Sequence, residues 1–154
     1  MRDMVLETTR LTIRMASRHE MLGIIECQRD PALRRAYQEM LTGCLEHPGQ
    51  WEWYVVWVIE RQDGSRVGDL SFKGLGDDGS TEIGYGIEEE CRGQGYATEA
   101  VASAVSWALG QPGVTRVEAE TEPDNIASQR VLEKCGFVPT GTDGEEGPRF
   151  VRWA

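Results

Sequence analysis

The stretch at residues 82–98 constrains the fold more than any other part of the chain. It reads Glu-Ile-Gly-Tyr-Gly-Ile-Glu-Glu-Glu-Cys-Arg-Gly-Gln-Gly-Tyr-Ala-Thr, which predicts a strand, a glycine-bearing turn and the start of a helix. Gly93 and Gly95 leave the turn without side chains, so several amide N–H groups can point at one anion. The alanine-rich run at residues 96–109 predicts a helix whose N-terminal dipole faces the same point. The stretch is therefore typical of a turn that binds a pyrophosphate.

Several kinds of protein use such a turn, and its residues distinguish them. A kinase-type phosphate loop requires Gly-Lys-Ser or Gly-Lys-Thr, which this turn lacks. A dinucleotide fingerprint requires a third glycine where this chain has Thr98, although a strand with acidic residues does follow. An ordinary strand-to-helix loop, in which the glycines only form a turn, is the structural alternative.

Length and charge narrow the functional classes. A chain of 154 residues fits one domain, residues 1–154, with its own hydrophobic core. The 16 basic and 26 acidic residues give a formal net charge of −10, which opposes binding to nucleic acid or to an anionic membrane. The first residues lack the apolar core of a signal peptide, and no apolar run is long enough to span a bilayer. We therefore expect a cytoplasmic protein with neither nucleic acid nor membrane as a partner.

The cysteines predict neither a metal site nor a disulfide framework. They stand far apart without a CxxC pair, and neither histidine has a neighbour at ligand spacing. We expect no metal and free thiols at Cys27, Cys44, Cys91 and Cys135.

Hydrophobic periodicity predicts a mixed α/β domain. Strands are expected at residues 11–15, 51–60, 67–72, 81–87 and 114–121, and helices at 17–30, 31–43, 96–109 and 125–136. The segment 51–60 is apolar on both alternating faces, which predicts a central strand with its tryptophans in the core. The strand, helix and strand within residues 81–121 form a βαβ unit, whose two strands should run parallel.

Two motifs in this frame resemble those of the GCN5-related N-acetyltransferase (GNAT) family. Arg92, Gly95 and Ala97 match its Arg/Gln-x-x-Gly-x-Gly/Ala motif. After one further helix and strand, residues 125–137 are similar to the Asn-x-x-Ser/Ala...Glu-Lys-x-Gly-Phe signature that follows the family's fifth strand. The opening at residues 6–11 resembles the Leu-x-Thr-x-Arg-Leu start of the branch that includes the ribosomal-protein N-terminal acetyltransferases. The resemblance covers nearly the whole chain.

The resemblance implies an α/β (α+β) GNAT fold, a mixed and mostly antiparallel sheet of about six or seven strands flanked by about four helices. Its fourth and fifth strands, residues 81–87 and 115–121, would splay apart to admit acetyl-CoA. The pantetheine would pair with the backbone around Tyr85 and Ile87, and Asn125 would reach it from the other side. The pyrophosphate would bind the turn, which consists of Arg92, Gly93, Gln94, Gly95, Tyr96, Ala97 and Thr98.

The implied reaction is direct transfer of an acetyl group to a primary amine, of a small molecule or a protein N-terminus, without metal or covalent intermediate. An ammonium nucleophile must first lose a proton. Glu82, with a pKa raised by desolvation, is the expected base. Glu118 and Glu120 compete for this role, and the structural alternative is that Glu82 is an ordinary solvated or ion-paired strand residue.

The leaving thiolate needs a proton as well. The family's usual donor is a tyrosine, but the matching position in this chain is Leu132. Ser128 is the expected substitute, with solvent as the alternative.

Two other functions stay open from the sequence. The missing tyrosine permits a catalytically idle CoA-binding domain used for sensing or interaction, and the glycine turn permits a dinucleotide-binding module. The identity of the amine cannot be deduced from the residues. The resemblance also leaves open a monomer or a homodimer, since dimers are common in the family.

Overall fold

The computed structural model describes residues 4–154, and within them eight strands, four α-helices and two 3-10 helices. The strands are β1 (Val5–Glu7), β2 (Leu11–Met15), β3 (Val56–Arg61), β4 (Arg66–Phe72), β5 (Ser80–Ile87), β6 (Arg116–Glu120), β7 (Val138–Asp143) and β8 (Pro148–Trp153). The α-helices are α1 (Arg18–Cys27), α2 (Pro31–Glu46), α3 (Tyr96–Leu109) and α4 (Ile126–Lys134), and the 3-10 helices are Pro48–Trp53 and Glu89–Cys91. No helix in this part of the chain has the length and apolarity needed to cross a bilayer.

All eight strands join one sheet in the order β1-β2-β3-β4-β5-β6-β8-β7. Every neighbouring pair is antiparallel except β5 and β6, which run parallel. This confirms the mixed, mostly antiparallel sheet and the βαβ unit. The sheet has more strands than the six or seven expected because a hairpin forms near each end of the chain, β1 with β2 and β7 with β8.

The parallel pair splays as predicted. β5 and β6 pair only at their first residues, where Ser80, Thr81 and Glu82 face Arg116, Val117 and Glu118. Beyond this point β5 stays paired with β4 up to Ile87, while β6 stays paired with β8. A cleft therefore opens between the two strands toward their carboxyl ends.

Several helix ends follow the capping chemistry of the sequence. Ser17 accepts from the amide of Glu20, whose side chain returns a hydrogen bond to the Ser17 backbone, forming a capping box. Asn125 accepts from the amide of Ser128 at the start of α4. The predicted stop of α2 at Gly43 is wrong, since α2 continues to Glu46. Gly43 serves packing instead, because a Cβ there would lie 2.5 Å from Cδ1 of Tyr54.

The predicted strand at residues 51–60 begins only at Val56. The preceding Pro48–Trp53 forms a 3-10 helix, although Trp51 and Trp53 are buried as predicted. Trp53, Phe72 and Trp107 pack together with ring centroids 5.0–5.7 Å apart. The apolar pattern predicted the burial of these tryptophans correctly. A short buried run does not by itself distinguish a strand from a helical turn, so the predicted secondary structure was wrong.

The helices divide between the two faces of the sheet. Tyr85 on β5 reaches α4, which packs beside α3, where Cys135 Sγ lies 3.5 Å from Thr98 O. On the opposite face α2 lies over β4, and Tyr37 hydrogen bonds to Asp69. The cleft between β5 and β6 therefore lies between two different faces of the sheet, one covered by α3 and α4 and the other by α2.

Candidate active site

The edge of β5 presents its backbone to the cleft. The bonds that tie β5 to β4 fall on even-numbered residues of β5, for example Lys73 N–H to Glu82 O at 2.8 Å. Bonding alternates along an antiparallel strand, so the N–H and C=O groups of Tyr85 and Ile87 point away from β4 and toward the cleft, where Ile87 O accepts from Arg92 Nε. This is the orientation that an extended chain such as pantetheine requires for pairing with the strand.

The turn between β5 and α3 has the geometry of an anion site. Gly93 and Gly95 have φ angles of 77° and 81°, a left-handed conformation that strains other residues. Within residues 4–154, no acceptor engages the amides before the first helical hydrogen bond, Glu99 N–H to Gly95 O. These amides belong to Gly93, Gln94, Gly95, Tyr96, Ala97 and Thr98.

Arg10, in the β1–β2 turn, holds the glycine turn in place. Its Nη1 donates to Gln94 O at 2.9 Å, and its Nε pairs with a Glu99 oxygen at 2.7 Å. Its guanidinium carbon lies 4.5 Å from the ring centroid of Tyr96. Arg61 Nε also donates to the Tyr96 hydroxyl at 3.2 Å. The buried Tyr96 side chain therefore supports the turn, and only its backbone is available to a ligand.

Arg92, in the first of the two motifs, points its side chain back at the end of β5. Its Nε donates to Ile87 O at 3.1 Å and so joins the end of β5 to the turn. This contact supports the loop, and it leaves the main attraction for a phosphate to the backbone amides.

Across the cleft, Tyr85 and Ser128 bring two hydroxyls together. The Tyr85 hydroxyl oxygen lies 2.7 Å from Ser128 Oγ, and it donates to Ser128 O at 3.2 Å. Asn125 Oδ1 fixes this end of α4 by accepting the Ser128 amide at 3.1 Å. Burial raises the pKa of Tyr85, so the phenol stays protonated at neutral pH.

Thr121, directly after β6, carries a buried hydroxyl without a partner. Its side chain is 4% exposed, and no group among residues 4–154 bonds its Oγ1. By strand alternation Thr121 lies on the same face as the buried Val117 and Ala119 of β6. A buried unpaired hydroxyl costs about 1–3 kcal/mol, so a bound ligand group would be stabilised here.

On the opposite face, Arg149 of β8 gathers three carboxylates. Its Nη2 lies 2.8 Å from Glu82 Oε1 and 3.2 Å from Glu118 Oε1, and its Nη1 lies 2.6 Å from Glu120 Oε1. The other oxygen of Glu82 pairs with Lys73 Nζ at 2.7 Å. The expected base and both of its competitors therefore belong to one ion-pair cluster.

The expectation that desolvation leaves Glu82 with a raised pKa is wrong. Burial does raise the pKa of Glu82, but the hydrogen bonds from Lys73 and Arg149 outweigh it and hold the pKa below its ordinary value. A carboxylate kept ionised by two cations has little tendency to take up a proton.

The family model named Acetyltransferase (GNAT) domain matches residues 8–138, well over half of the chain. The chain belongs to the GNAT acetyltransferase family. It is therefore an acyltransferase by family, as the motifs predicted.

A GNAT relative matches the chain over most of its length. The uncharacterized N-acetyltransferase YoaA of Bacillus subtilis is 30% identical over 149 residues, which covers 89% of this chain and 84% of YoaA. The chain matches other N-acetyltransferase relatives from Bacillus over only about half of the length of those relatives.

Solved GNAT structures share the fold at low identity. The ribosomal-protein-S5-alanine acetyltransferase of Vibrio fischeri has a TM-score of 0.74 and 18% identity, covering 97% of this chain and 94% of that one. The spermidine N-acetyltransferase of Vibrio cholerae, solved with CoA and spermine, has a TM-score of 0.73 and 16% identity, covering 95% of this chain and 96% of that one. At such identities the likeness establishes the fold alone.

The GNAT cosubstrate acetyl-CoA fits the residues of the cleft. The β5 backbone faces the cleft, and at Gly93 a Cβ would meet nothing within 4 Å, so the turn is open to a ligand. In the described residues, no group of three or more histidine, cysteine or acidic side chains is arranged to hold a metal ion.

The position of the usual GNAT tyrosine is structural in this chain. Leu132 is fully buried in the core, at 0% exposure. Any protein group that protonates the leaving sulfur must therefore come from another position.

Sequence reasoning missed four side chains near the cleft: Lys73, Arg149, Asp69 and Tyr37. Nothing in the sequence pairs Arg149 with Glu82, because their contact depends on strand order. Asp69 carried a usable signal, since it is the one carboxylate within a mostly buried strand, where burial demands a partner.

Proposed function

We propose that this protein transfers the acetyl group of acetyl-CoA to a primary amine. The observation that carries this proposal is the cleft beyond Glu82 and Glu118, along which the exposed backbone of β5 leads to a turn of unpartnered amides. On this edge Ile87 O accepts from Arg92, while the N–H and C=O groups of Tyr85 have no partner among residues 4–154. Bound there, acetyl-CoA supplies a thioester that an amine can attack directly, without a metal or a covalent enzyme intermediate.

Different residues of the cleft would bind different parts of acetyl-CoA. The amides of residues 93–98 and the N-terminal dipole of α3 would hold the pyrophosphate. The backbone of Tyr85 and Ile87 would pair with the pantetheine. The side-chain nitrogen of Asn125, which donates to no acceptor within residues 4–154, would reach the same arm from α4.

The hydroxyls of Ser128 and Tyr85 together are the proposed proton donor to the leaving sulfur, and the phenol of Tyr85 is the stronger acid of the two. The two hydroxyls are in hydrogen-bond contact on the α4 side of the cleft. A proton given up by one can be replaced from the other, so the pair can act as a unit.

Glu82 has a different role in this proposal from the one its position first indicated. Its ion pairs with Lys73 and Arg149 join β4, β5 and β8 at the point where the cleft begins. We assign it to positioning of the cleft, and proton acceptance is derived separately below.

The acceptor is proposed to be a small-molecule amine or a protein N-terminus. Structural neighbours are named for both kinds of substrate, a ribosomal protein in one case and spermidine in the other. The net charge of −10 favours the approach of an ammonium group. We place the reaction in the cytoplasm, where a reducing environment would keep the four free cysteines as thiols.

A transfer assay tests the proposal. The protein is incubated with acetyl-CoA and a panel containing spermidine, benzylamine, an aminoglycoside, and peptides with N-terminal alanine or serine, and free thiol is measured. We expect amine-dependent thiol release and a product heavier by one acetyl group. A higher melting temperature of the protein with CoA, without transfer to any amine, would instead indicate an idle CoA-binding domain. Stabilisation by NAD but not by CoA would indicate a dinucleotide module.

A further inference from the structure

A cavity of ≈ 400 Å³ lies between α2 and the face of the sheet that carries Glu82. Its floor is formed by β4 and β5, and its apolar wall by Leu33, Ala36 and Met40 of α2. Glu82, Gly84 and Gly86 share this face because alternate residues of a strand point the same way. The cavity is thus on the opposite side of β5 from the Tyr85–Ser128 pair.

Two glycines keep the floor of this cavity open. A Cβ at Gly86 would meet nothing within 4 Å, and at Gly84 it would meet only Lys73 Cε at 3.9 Å. Neither glycine is required by tight packing. Their effect is to leave the backbone of β5 bare, so that an amine in the cavity can approach the cleft edge from this face.

Asp69 of β4 is the carboxylate set into this floor, opposite Gly86 in the strand register. Its Oδ2 accepts from the Tyr37 hydroxyl at 2.6 Å and from Arg66 Nη2 at 2.7 Å. Its Oδ1 accepts no hydrogen bond from residues 4–154, and it is not sealed from solvent. One oxygen is therefore fixed in place while the other is available in the cavity.

The electrostatics of Asp69 differ from those of Glu82. Burial raises the pKa of Asp69, and the bonds from Tyr37 and Arg66 reduce the rise without cancelling it. The other charged groups that line the cavity are Lys73, which is paired with Glu82, and Glu88, which is 3.5 Å from Arg66. Asp69 is thus a positioned carboxylate with a free oxygen and a greater affinity for protons than an ordinary aspartate.

We infer, on the basis of the acetyl transfer proposed above, that Asp69 receives the proton of the acceptor's ammonium group, directly or through one water. The N–H bond breaks and leaves its electron pair on nitrogen, while Oδ1 holds the proton and later releases it to solvent. Nitrogen then forms the C–N bond as the C–S bond breaks, and the electron pair of the C–S bond stays on sulfur. The sulfur takes a proton from the Ser128–Tyr85 pair, and the nitrogen releases its second proton to solvent, which leaves a neutral amide and a thiol. No oxidant or reductant is needed.

The test compares Asp69→Asn with Glu82→Gln, a matched loss of one carboxylate on the same face. The readout is kcat/KM as a function of pH, with the amine of the panel that the wild type acetylates fastest. For Asp69→Asn we expect a loss of about 10²–10⁴-fold at neutral pH, with partial recovery as pH rises and free amine becomes abundant. Glu82→Gln should lose less and should show no such recovery. Stabilisation by CoA should persist in Asp69→Asn.

Tyr37→Phe provides a second test, because this variant retains both the Asp69 carboxylate and Arg66. The Tyr37 hydrogen bond lowers the pKa of Asp69, so its removal should raise that pKa and move the acid limb of the kcat/KM profile to higher pH. This variant remains informative if Asp69→Asn does not fold.

Three outcomes would overturn the inference. The first is wild-type activity and an unchanged acid limb in Asp69→Asn. The second is a rise in acceptor KM alone, without recovery at high pH, which would make Asp69 an ammonium-binding group. The third is an unmoved acid limb in Tyr37→Phe. A wild type that binds CoA but acetylates no amine in the panel overturns the proposed function, and this inference with it.

Discussion

At the scale of single residues, the hydroxyl pair of Tyr85 and Ser128 is proposed to take the place of the tyrosine that position 132 lacks. Leu132 is buried and apolar, so it offers no proton. Tyr85 reaches α4 from β5 and places its phenol 2.7 Å from Ser128 Oγ, with a pKa raised by burial. The neutral phenol can donate a hydrogen bond to a developing thiolate on that side of the cleft.

Substitution of each hydroxyl tests whether the pair acts as a unit. We expect Tyr85→Phe to lower kcat about 10²-fold, and Ser128→Ala to lower it less, because the phenol remains. The double variant should be no slower than Tyr85→Phe alone, since removing two members of one relay costs little more than removing one. Steady-state kcat and CoA affinity are measured for all three variants. Losses that multiply in the double variant would show that the hydroxyls act independently.

The sequence predicted the local conformation of some residues at the candidate site but not the long-range contacts of others, for a physical reason. Asn125, Gly93 and Gly95 could be assigned because a helix cap and a left-handed turn are local and restrict residue type. The partners of Glu82 could not, since Arg149 is 67 positions away and meets it only through the strand order. The pKa of Glu82 depends on these partners, so its expected direction was wrong.

At the scale of elements, the turn and α3 together form the proposed anion site. Gly95 is the N-cap of α3, with φ 81° and no side-chain cap, so its backbone alone shapes the approach to the helix N-terminus. Gly64 is a suitable comparison because it has φ 88° and no atom within 4 Å of a Cβ, in the β3–β4 turn.

Gly95→Val and Gly64→Val should therefore separate strain from ligand binding. CoA at a hundredfold excess over its dissociation constant should stabilise the wild type by about 2.7 kcal/mol. We expect both variants to lose intrinsic stability, since valine is disfavoured at positive φ, but only Gly95→Val to lose the CoA effect. Thermal unfolding with and without CoA measures both quantities. Equal CoA stabilisation in the two variants would remove the turn from the binding site.

Elements were predictable where local signals agree, and less so where packing decides. α3 was predicted at residues 96–109, the bounds that it has, because an alanine-rich run follows one glycine and precedes another. The segment before β3 was misassigned because burial of Trp51 and Trp53 does not require a strand. The β7–β8 hairpin lacked such a signal, since β7 is exposed along its whole length.

At the scale of the whole molecule, the sheet separates two tasks. One face carries α3, α4 and the hydroxyl pair, while the other carries α2, the cavity and Asp69. In the proposed reaction the cleft between β5 and β6 would be reached from both faces. In the proposed reaction the leaving sulfur and the incoming amine would thus be handled from opposite faces. Sequence motifs predicted the cleft, but which residues flank it on each face depended on tertiary packing.

Acidification should destabilise the whole fold through its ion-paired carboxylates. Five carboxyl groups have pKa values held below the ordinary range by their hydrogen bonds and ion pairs: Glu20, Asp63, Asp78, Glu82 and Glu99. In acid the unfolded chain binds more protons at these positions, so their stabilisation is present above the unfolded pKa and is lost as pH falls through the folded pKa. Asp69 has the opposite sign, since its raised pKa favours folding at low pH. Because five groups lose their stabilising effect in acid and one has the opposite effect, we expect the free energy of unfolding to fall as the pH is lowered from about pH 5 to pH 2.

Arg149→Gln tests how much of this acid sensitivity comes from the cluster at the cleft. Without the guanidinium, the pKa of Glu82 should rise, so the variant should be less stable than wild type at pH 7. The difference should shrink as pH falls, because a protonated Glu82 gains nothing from Arg149. Urea unfolding across this pH range measures the difference, with Arg130→Gln on the exposed surface of α4 as the control. A deficit of equal size at pH 7 and pH 2 would show that Arg149 stabilises by packing and not by charge.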